Sequence, residues 1–351
     1  MRSDVYYTKI CGNDSKDDIK EKISRLVEEI SYLIDINQND IIALKTSFTD
    51  NYDITNIVID KVLNRAKKDG TDLFITDTQH DNLKSYNGIK NTENTLSHFA
   101  KDLTSKTYIA NADGINGKNH VMVNIQKKVF NEVKIAGEIH QSDGLIVVNN
   151  VKLDKLIGFN GIITSIGYEC ASKDGKIEIN KLAQPVIAKI RCLVCKDCLN
   201  FCSQKAISLE DKISIDYSVC IGCNKCISIC PAGAINYNRL NYDEYIEGII
   251  EYSYAVLENK KFNKLLYINI LKDELNQDEK TLSNNQVIAD TTILVSNDPL
   301  ALDKASYDML IKRNKLDEYK KLYSRIDNDK QFTISEKLNI GLPNYKLKVI
   351  T

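Results

Sequence analysis

CLVCKDCLNFC at residues 192–202 and CIGCNKCISIC at 220–230 are the stretch on which the reading of this chain turns. Each is a CxxCxxCxxxC run, and the two superpose at an offset of 28 residues that also carries Ala206 onto Ala234 and Ile207 onto Ile235. The repeat reaches past the cysteines into the apolar residues behind them, the mark of an internal duplication. Eight of the ten cysteines in the chain lie in these runs, within 39 residues.

Three thiolates two residues apart wrap a tight loop around one corner-rich inorganic cube, and the fourth ligand must come from elsewhere in the chain. The runs resemble those of two-cluster bacterial ferredoxins, where the fourth cysteine of each run ligates the other cluster. That resemblance implies one 4Fe-4S cluster on Cys192, Cys195, Cys198 and Cys230, and a second on Cys220, Cys223, Cys226 and Cys202. Crossed ligation ties both halves into one unit and lets a segment of about fifty residues stay folded on a small core. Disulfides and zinc are the competing uses. A reducing compartment keeps thiols free, and structural zinc takes CxxC pairs with a longer insert, often with His, and no third cysteine two residues on.

The two runs differ. Lys196 in the first is set against Gly222 in the second, and Ser203 stands where the second has Pro231. A cation and a hydroxyl beside the first cluster are expected to stabilise its reduced form and raise its potential. Leu193, Val194, Leu199, Phe201, Ile221, Ile227 and Ile229 supply a dry shell between the ligands.

Outside the runs the composition is that of a soluble globular protein: 351 residues, 43% hydrophobic, 27% charged, with a formal net charge of -1. Near-neutral charge argues against nucleic acid and anionic membranes as default partners. No long apolar run predicts a membrane span, and the opening MRSDVYYTKI lacks a secretory pattern, so a cytoplasmic setting is expected.

Strands and helices alternate along the rest. Ile19, Ile23, Leu26, Val27, Ile30 and Leu33 predict a helix over 16–33, followed by a strand at 41–48 (IIALKTSF), a helix at 54–68 and a strand at 72–78 (DLFITDT). Further strands are expected at 144–151, 265–271 and 291–297, with helices near 242–259, 299–313 and 316–327. Near-continuous apolar strands between helices predict an α/β fold with a mostly parallel sheet covered on both faces. The expected organisation is a discontinuous α/β domain, 1–187 and 241–351, carrying a ferredoxin-like insertion at 188–240.

Several segments resemble the bacterial and archaeal iron-sulfur proteins grouped as domain of unknown function 362: FITDT at 74–78, ADGINGK at 112–118, FNEVKIAGEI at 130–139, LIGFNG at 156–161, GYECASKDGK at 167–176, the double cysteine run, and SNDPLALDKASYD at 296–308. The resemblance implies an α/β domain with an inserted two-cluster ferredoxin. Members of that family commonly carry histidines where this chain has Ser47 and Asp154, and a Lys-Asn pair where it has Thr164 and Ser165. The cluster ligands are all retained, so electron transfer is the property the resemblance carries over.

Other constellations are weaker. His80, His98, His120 and His140 show no paired metal-ligand spacing. Asp77 closes a predicted strand at the edge where α/β proteins bind ligands, though a helix or turn cap is the simpler reading, and Lys45 and Lys152 are candidates to join it around a small anionic ligand; these three are the candidate catalytic residues. Gly158 and Gly161 bracket a turn able to aim amides at an anion, though an ordinary tight turn is the simpler reading. Asp298 before Pro299 reads as a helix cap and Cys11 as buried filler, while Cys170 is either buried filler or a thiolate near the same cleft as Asp77. The expected function is one-electron transfer through two clusters to or from a redox partner protein or small carrier. The alternatives are an oxidoreductase acting on a small anionic substrate in the α/β domain, and a module whose clusters are structural or sense oxygen.

Overall fold

The computed structural model describes residues 2–48, 53–79, 103, 107–154, 156–210, 213–272, 290–313 and 327–351. The expected helix at 316–327, but for its last residue, and His80 and His98 lie outside these residues.

Among the described residues eight strands form the central sheet: β1 (Ser3–Ile10), β2 (Ile42–Lys45), β3 (Leu73–Asp77), β4 (Tyr108–Asn111), β5 (Gly144–Asn150), β6 (Leu265–Lys272), β7 (Thr291–Ser296) and β8 (Tyr345–Val349). Their order is β8-β1-β7-β6-β5-β2-β3-β4. Every neighbouring pair is parallel except those that β7 makes with β6 and β1. The interior strands read as unbroken apolar runs because both faces are covered. All seven residues of β5, GLIVVNN, are buried.

Helix α1 (Lys16–Ile30) gathers Ile19, Ile23, Leu26, Val27 and Ile30 on its buried face, and Ser15 with Asp18 forms a capping box at its start. With α2 (Asp53–Lys68), it packs on the face carrying Leu44, Ile75, Ile146, Val148 and Ile268. The opposite face presents Ala43, Leu145, Val147, Tyr267 and Leu294 to α4 (Tyr242–Glu258) and α5 (Pro299–Arg313). Alternation within β5 sends Leu145 and Val147 to one core and Ile146 and Val148 to the other.

Between α3 (Lys173–Lys181) and α4 the chain leaves the sheet. Val186–Ile187 pairs antiparallel with Ile235–Asn236, so the outgoing and returning chain run side by side. The described residues between contribute no strand to the central sheet; they form a ribbon of Ile207–Leu209 with Ile213–Ile215 and a small core in which Cys198, Ile207, Ile213 and Ile235 are buried.

Two sequence expectations fail here. Cys11 is exposed rather than buried, because it follows the last residue of β1 in a turn where its N–H donates to Asp14 Oδ2. Asp298 caps α5, accepting from the N–H groups of Leu300 and Ala301, each at 3.0 Å. The tight turn expected at Gly158–Gly161 is not formed: Gly158–Asn160 is a strand paired antiparallel with Lys152–Asp154, Phe159 N–H donates to Asn328 Oδ1, and the N–H groups of Ile162 and Ile163 just beyond donate to Asp303.

Candidate functional site

The duplication extends to backbone conformation. Among the left-handed residues three pairs stand 28 apart: Val194 (φ 58°) with Gly222 (69°), Lys196 (67°) with Asn224 (57°), and Lys205 (53°) with Gly233 (58°). Left-handed residues turn the chain sharply, and in each run two of them lie between the first and third cysteines. The backbone thus sets Lys196 against Asn224 and Val194 against Gly222, correcting the Lys196 to Gly222 pairing read from the sequence.

The fourth cysteine of each run is also held alike. Ala206 N–H donates to Cys202 Sγ at 3.3 Å, and Ala234 N–H to Cys230 Sγ at 3.2 Å. Such bonds favour a thiolate and tune any cluster it holds.

The cysteines border two recesses. One is lined by Cys202, Cys220, Cys223 and Cys226 with Ile207, Ile215 and Ile221. The other is lined by Cys192, Cys195, Cys198 and Cys230 with Leu193, Leu199 and Ile213. Each collects three cysteines from one run and the fourth from the other. Burial pushes the Cys226 thiol up to about 12, and the neighbouring Cys223, Cys220 and Cys202 add to the shift. Burial raises Cys198 and Cys220 as well. Thiols that share an apolar recess ionise only against a compensating cation. Among the described residues, no three His, Cys, Asp or Glu side chains converge as a single-ion site, and His120 and His140 stand apart from the cysteines on a strand and a helix.

The second run is docked on the α/β scaffold. Gln184 Nε2 donates to the carbonyls of Cys220 at 2.7 Å and Tyr217 at 2.9 Å, Tyr217 Oη donates to the Pro185 carbonyl, and Asn224 Nδ2 donates to that of Ala183. Gly222 lies so close to the end of α3 that a Cβ there would stand 2.1 Å from the Asn180 carbonyl oxygen. In the first run Leu193, Val194, Cys195 and Lys196 are exposed.

A second polar cluster lies at the carboxyl ends of β2 and β3. Lys45 and Asp77 are both almost wholly buried, with Lys45 Nζ 3.9 Å from Asp77 Oδ1 and in contact with Glu169 Oε2. Ser165 Oγ donates to Glu169 Oε2 at 2.9 Å, and Asp77 accepts from the N–H groups of Phe48 and Thr78. Ser165 and Glu169 begin and end a π-helical turn, a widened turn that brings both toward Lys45. Nearby, buried Lys176 donates to the Gln79 carbonyl at 2.8 Å and stands 5.7 Å from the Tyr168 ring centroid. Burial raises the Asp113 carboxyl against the charge of Lys176. Cys170 is fully buried and pushed up to about 11, so it stays a neutral thiol.

Of the three residues singled out in sequence, Lys45 and Asp77 come together, while Lys152 lies on the ribbon Lys152–Asp154 with Gly158–Asn160, half-buried and paired with Asn160. Glu169, Ser165 and Lys176 were missed. Their signal lay in the stretch GYECASKDGK and the residues just before it, read only as resemblance.

The model of the family described as a domain of unknown function (DUF362) matches residues 42–308. The chain belongs to that family. Within this DUF362 protein the match takes in both the Lys45 cluster and the cysteine-rich excursion. Pyruvate synthase subunit PorD of Methanothermobacter marburgensis is 38% identical over 56 residues, 16% of this chain and 67% of that subunit. Indolepyruvate oxidoreductase subunit IorA of the same organism is 39% identical over 70 residues, 19% of this chain and 11% of that subunit, so the DUF362 chain spans about a tenth of its length. A crystal structure of a protein from Thermotoga maritima aligns with a TM-score of 0.44 at 14% identity, covering 85% of this chain and 58% of that one.

Proposed function

We propose that this protein transfers single electrons through two 4Fe-4S clusters held in a unit at 188–240, set into an α/β domain of 1–187 and 241–351. The observation that carries the reading is the grouping of thiols: each recess gathers three cysteines of one run and the fourth of the other. Cys192, Cys195, Cys198 and Cys230 would hold cluster one, and Cys220, Cys223, Cys226 and Cys202 cluster two. A bound 4Fe-4S cluster supplies a one-electron couple with little rearrangement. The protein's residues do the rest: thiolates hold the iron, Ile207, Ile213, Ile215 and Leu199 keep water away, and the N–H groups of Ala206 and Ala234 donate to ligand sulfur. Likeness to subunits of a pyruvate synthase and an indolepyruvate oxidoreductase supports a redox partner. No helix among the described residues is long and apolar enough to cross a membrane.

Anaerobic purification with iron and sulfide analysis tests this reading. About eight irons per chain and a paramagnetic signal on reduction are expected; stoichiometric zinc overturns it. The crossed assignment has its own test: Cys230→Ser should deplete the cluster of the 192–198 loop and spare that of 220–226, despite its place in the second run.

A second reading, turnover of a small anionic substrate in the α/β domain, is favoured by the burial of Lys45 between Asp77 and Glu169 at the strand ends. Inorganic phosphate or a small carboxylate should then stabilise the protein against heat, and Lys45→Met should abolish the effect; no shift with either anion removes this reading.

A further inference from the structure

The two cysteine loops meet very different surroundings. Residues Cys220–Ile227 are all buried or half-buried, held by Gln184, Asn224 and the close approach of Gly222 to Asn180. The first loop and the turn before it face solvent: Ile190 is 97% exposed, Leu193 70% and Val194 57%. Lys189, Arg191 and Lys196 stand among these apolar side chains and are exposed too, with Asp197 the single acid in residues 189–197. Leu193, Val194 and Lys196 also line the recess bounded by Cys192, Cys195, Cys198 and Cys230, so one set of side chains both walls that recess and meets solvent. An apolar centre ringed by predominantly positive charge is the make-up of a transient protein interface, and local cations on a chain of net charge -1 select an anionic partner.

We propose that this face, Lys189 to Lys196, docks an acidic one-electron carrier protein, and that electrons enter at cluster one and pass inward to cluster two. This rests on the cluster assignment above. In the entry step the reduced carrier is oxidised by one electron and cluster one is reduced by one; no bond is made or broken and the step requires no proton.

The test uses the whole, cluster-loaded protein mixed in stopped flow with a reduced acidic flavodoxin, following bleaching of the cluster absorbance. The triple variant Lys189→Glu, Arg191→Glu, Lys196→Glu should slow reduction by about tenfold or more at low salt, and the steep decline of the wild-type rate with ionic strength should vanish. Ile190→Ser should slow it too, with salt dependence kept. Photoreduced deazariboflavin, a small neutral donor, should reduce all forms at equal rates. Loaded protein whose flavodoxin rate and salt dependence survive charge reversal overturns the docking site alone; a chain that purifies without iron overturns the cluster assignment and the docking site together.

Discussion

At the scale of single residues, the duplicated loops set up an experiment in opposite directions. Val194 and Gly222 occupy the same place in the repeat with φ of 58° and 69°. The left-handed region costs an L-residue roughly 1–2 kcal/mol, more for a β-branched side chain. Val194→Gly should therefore stabilise the first loop by about 1 kcal/mol, read as slower cluster loss in chelator. Gly222→Ala should do the reverse in the second loop, because the added methyl meets both the wrong φ and the Asn180 carbonyl oxygen at 2.1 Å; loss of about half the iron is the expected reading. Asp303 offers a pH test. Burial pushes its carboxyl from 3.8 up to about 6, against the N–H groups of Ile162 and Ile163 and the Asn269 amide that pull it down. A raised folded value means that the folded state holds the proton more tightly, so its contribution is complete below about pH 4 and is lost as pH rises through about 6. Wild type should lose roughly 2–3 kcal/mol across that window from this group, and Asp303→Asn should remove that slope in denaturant titrations at each pH.

At the scale of elements, α3 joins the two halves of the protein. Its C-terminal end and the residues just after it meet the second cysteine loop through Asn180, Ala183 and Gln184, while Lys176, one turn earlier, reaches the Gln79 carbonyl beside the buried polar cluster. Asn180 Nδ2 donates to Tyr168 Oη at 3.0 Å, which ties the same helix to the π-helical turn. Gln184→Ala removes two hydrogen bonds to carbonyls of the docked loop, each worth about 1 kcal/mol. Amide exchange should quicken at 217–226 and stay unchanged at 192–202; equal acceleration in both loops would mean that α3 does not selectively support the second. The π-helical turn is held from behind as well, since a Cβ on Gly167 would stand 2.0 Å from the Ile249 carbonyl oxygen of α4.

At the scale of the molecule, the sheet and the excursion differ in what keeps them folded. The sheet has a core on each face, filled from α1 and α2 on one side and from α4 and α5 on the other. The excursion buries Cys198, Ile207, Ile213 and Ile235 and little else. On the proposed cluster assignment, a unit with so small a core depends on its ligated centres. Chelation of iron should unfold 188–240 alone: limited proteolysis is expected to cut there while the α/β part survives, and far-UV circular dichroism should fall only slightly. Loss of the whole fold on iron removal would show that the sheet needs the clusters.

Much of this was legible in the sequence where the cause is local. The two cysteine runs, their 28-residue offset and the apolar strands β5, β6 and β7 follow from residue type and spacing, because a loop around a cluster and a strand buried on both faces each leave a short-range pattern. Lys45 and Asp77 were legible as polar ends of apolar strands. The edge strand β8, YKLKV, and β1, SDVYYTKI, carry mixed patterns, and the antiparallel course of β7 depends on partners near both chain ends, so neither was read. The tertiary structure alone brought Glu169 and Ser165 to Lys45, across about 120 residues, and turned one cysteine loop toward α3 and the other toward solvent. The physical reason is that the repeat makes the loops nearly alike as chemistry, and only packing against the rest of the chain makes one inner and one outer.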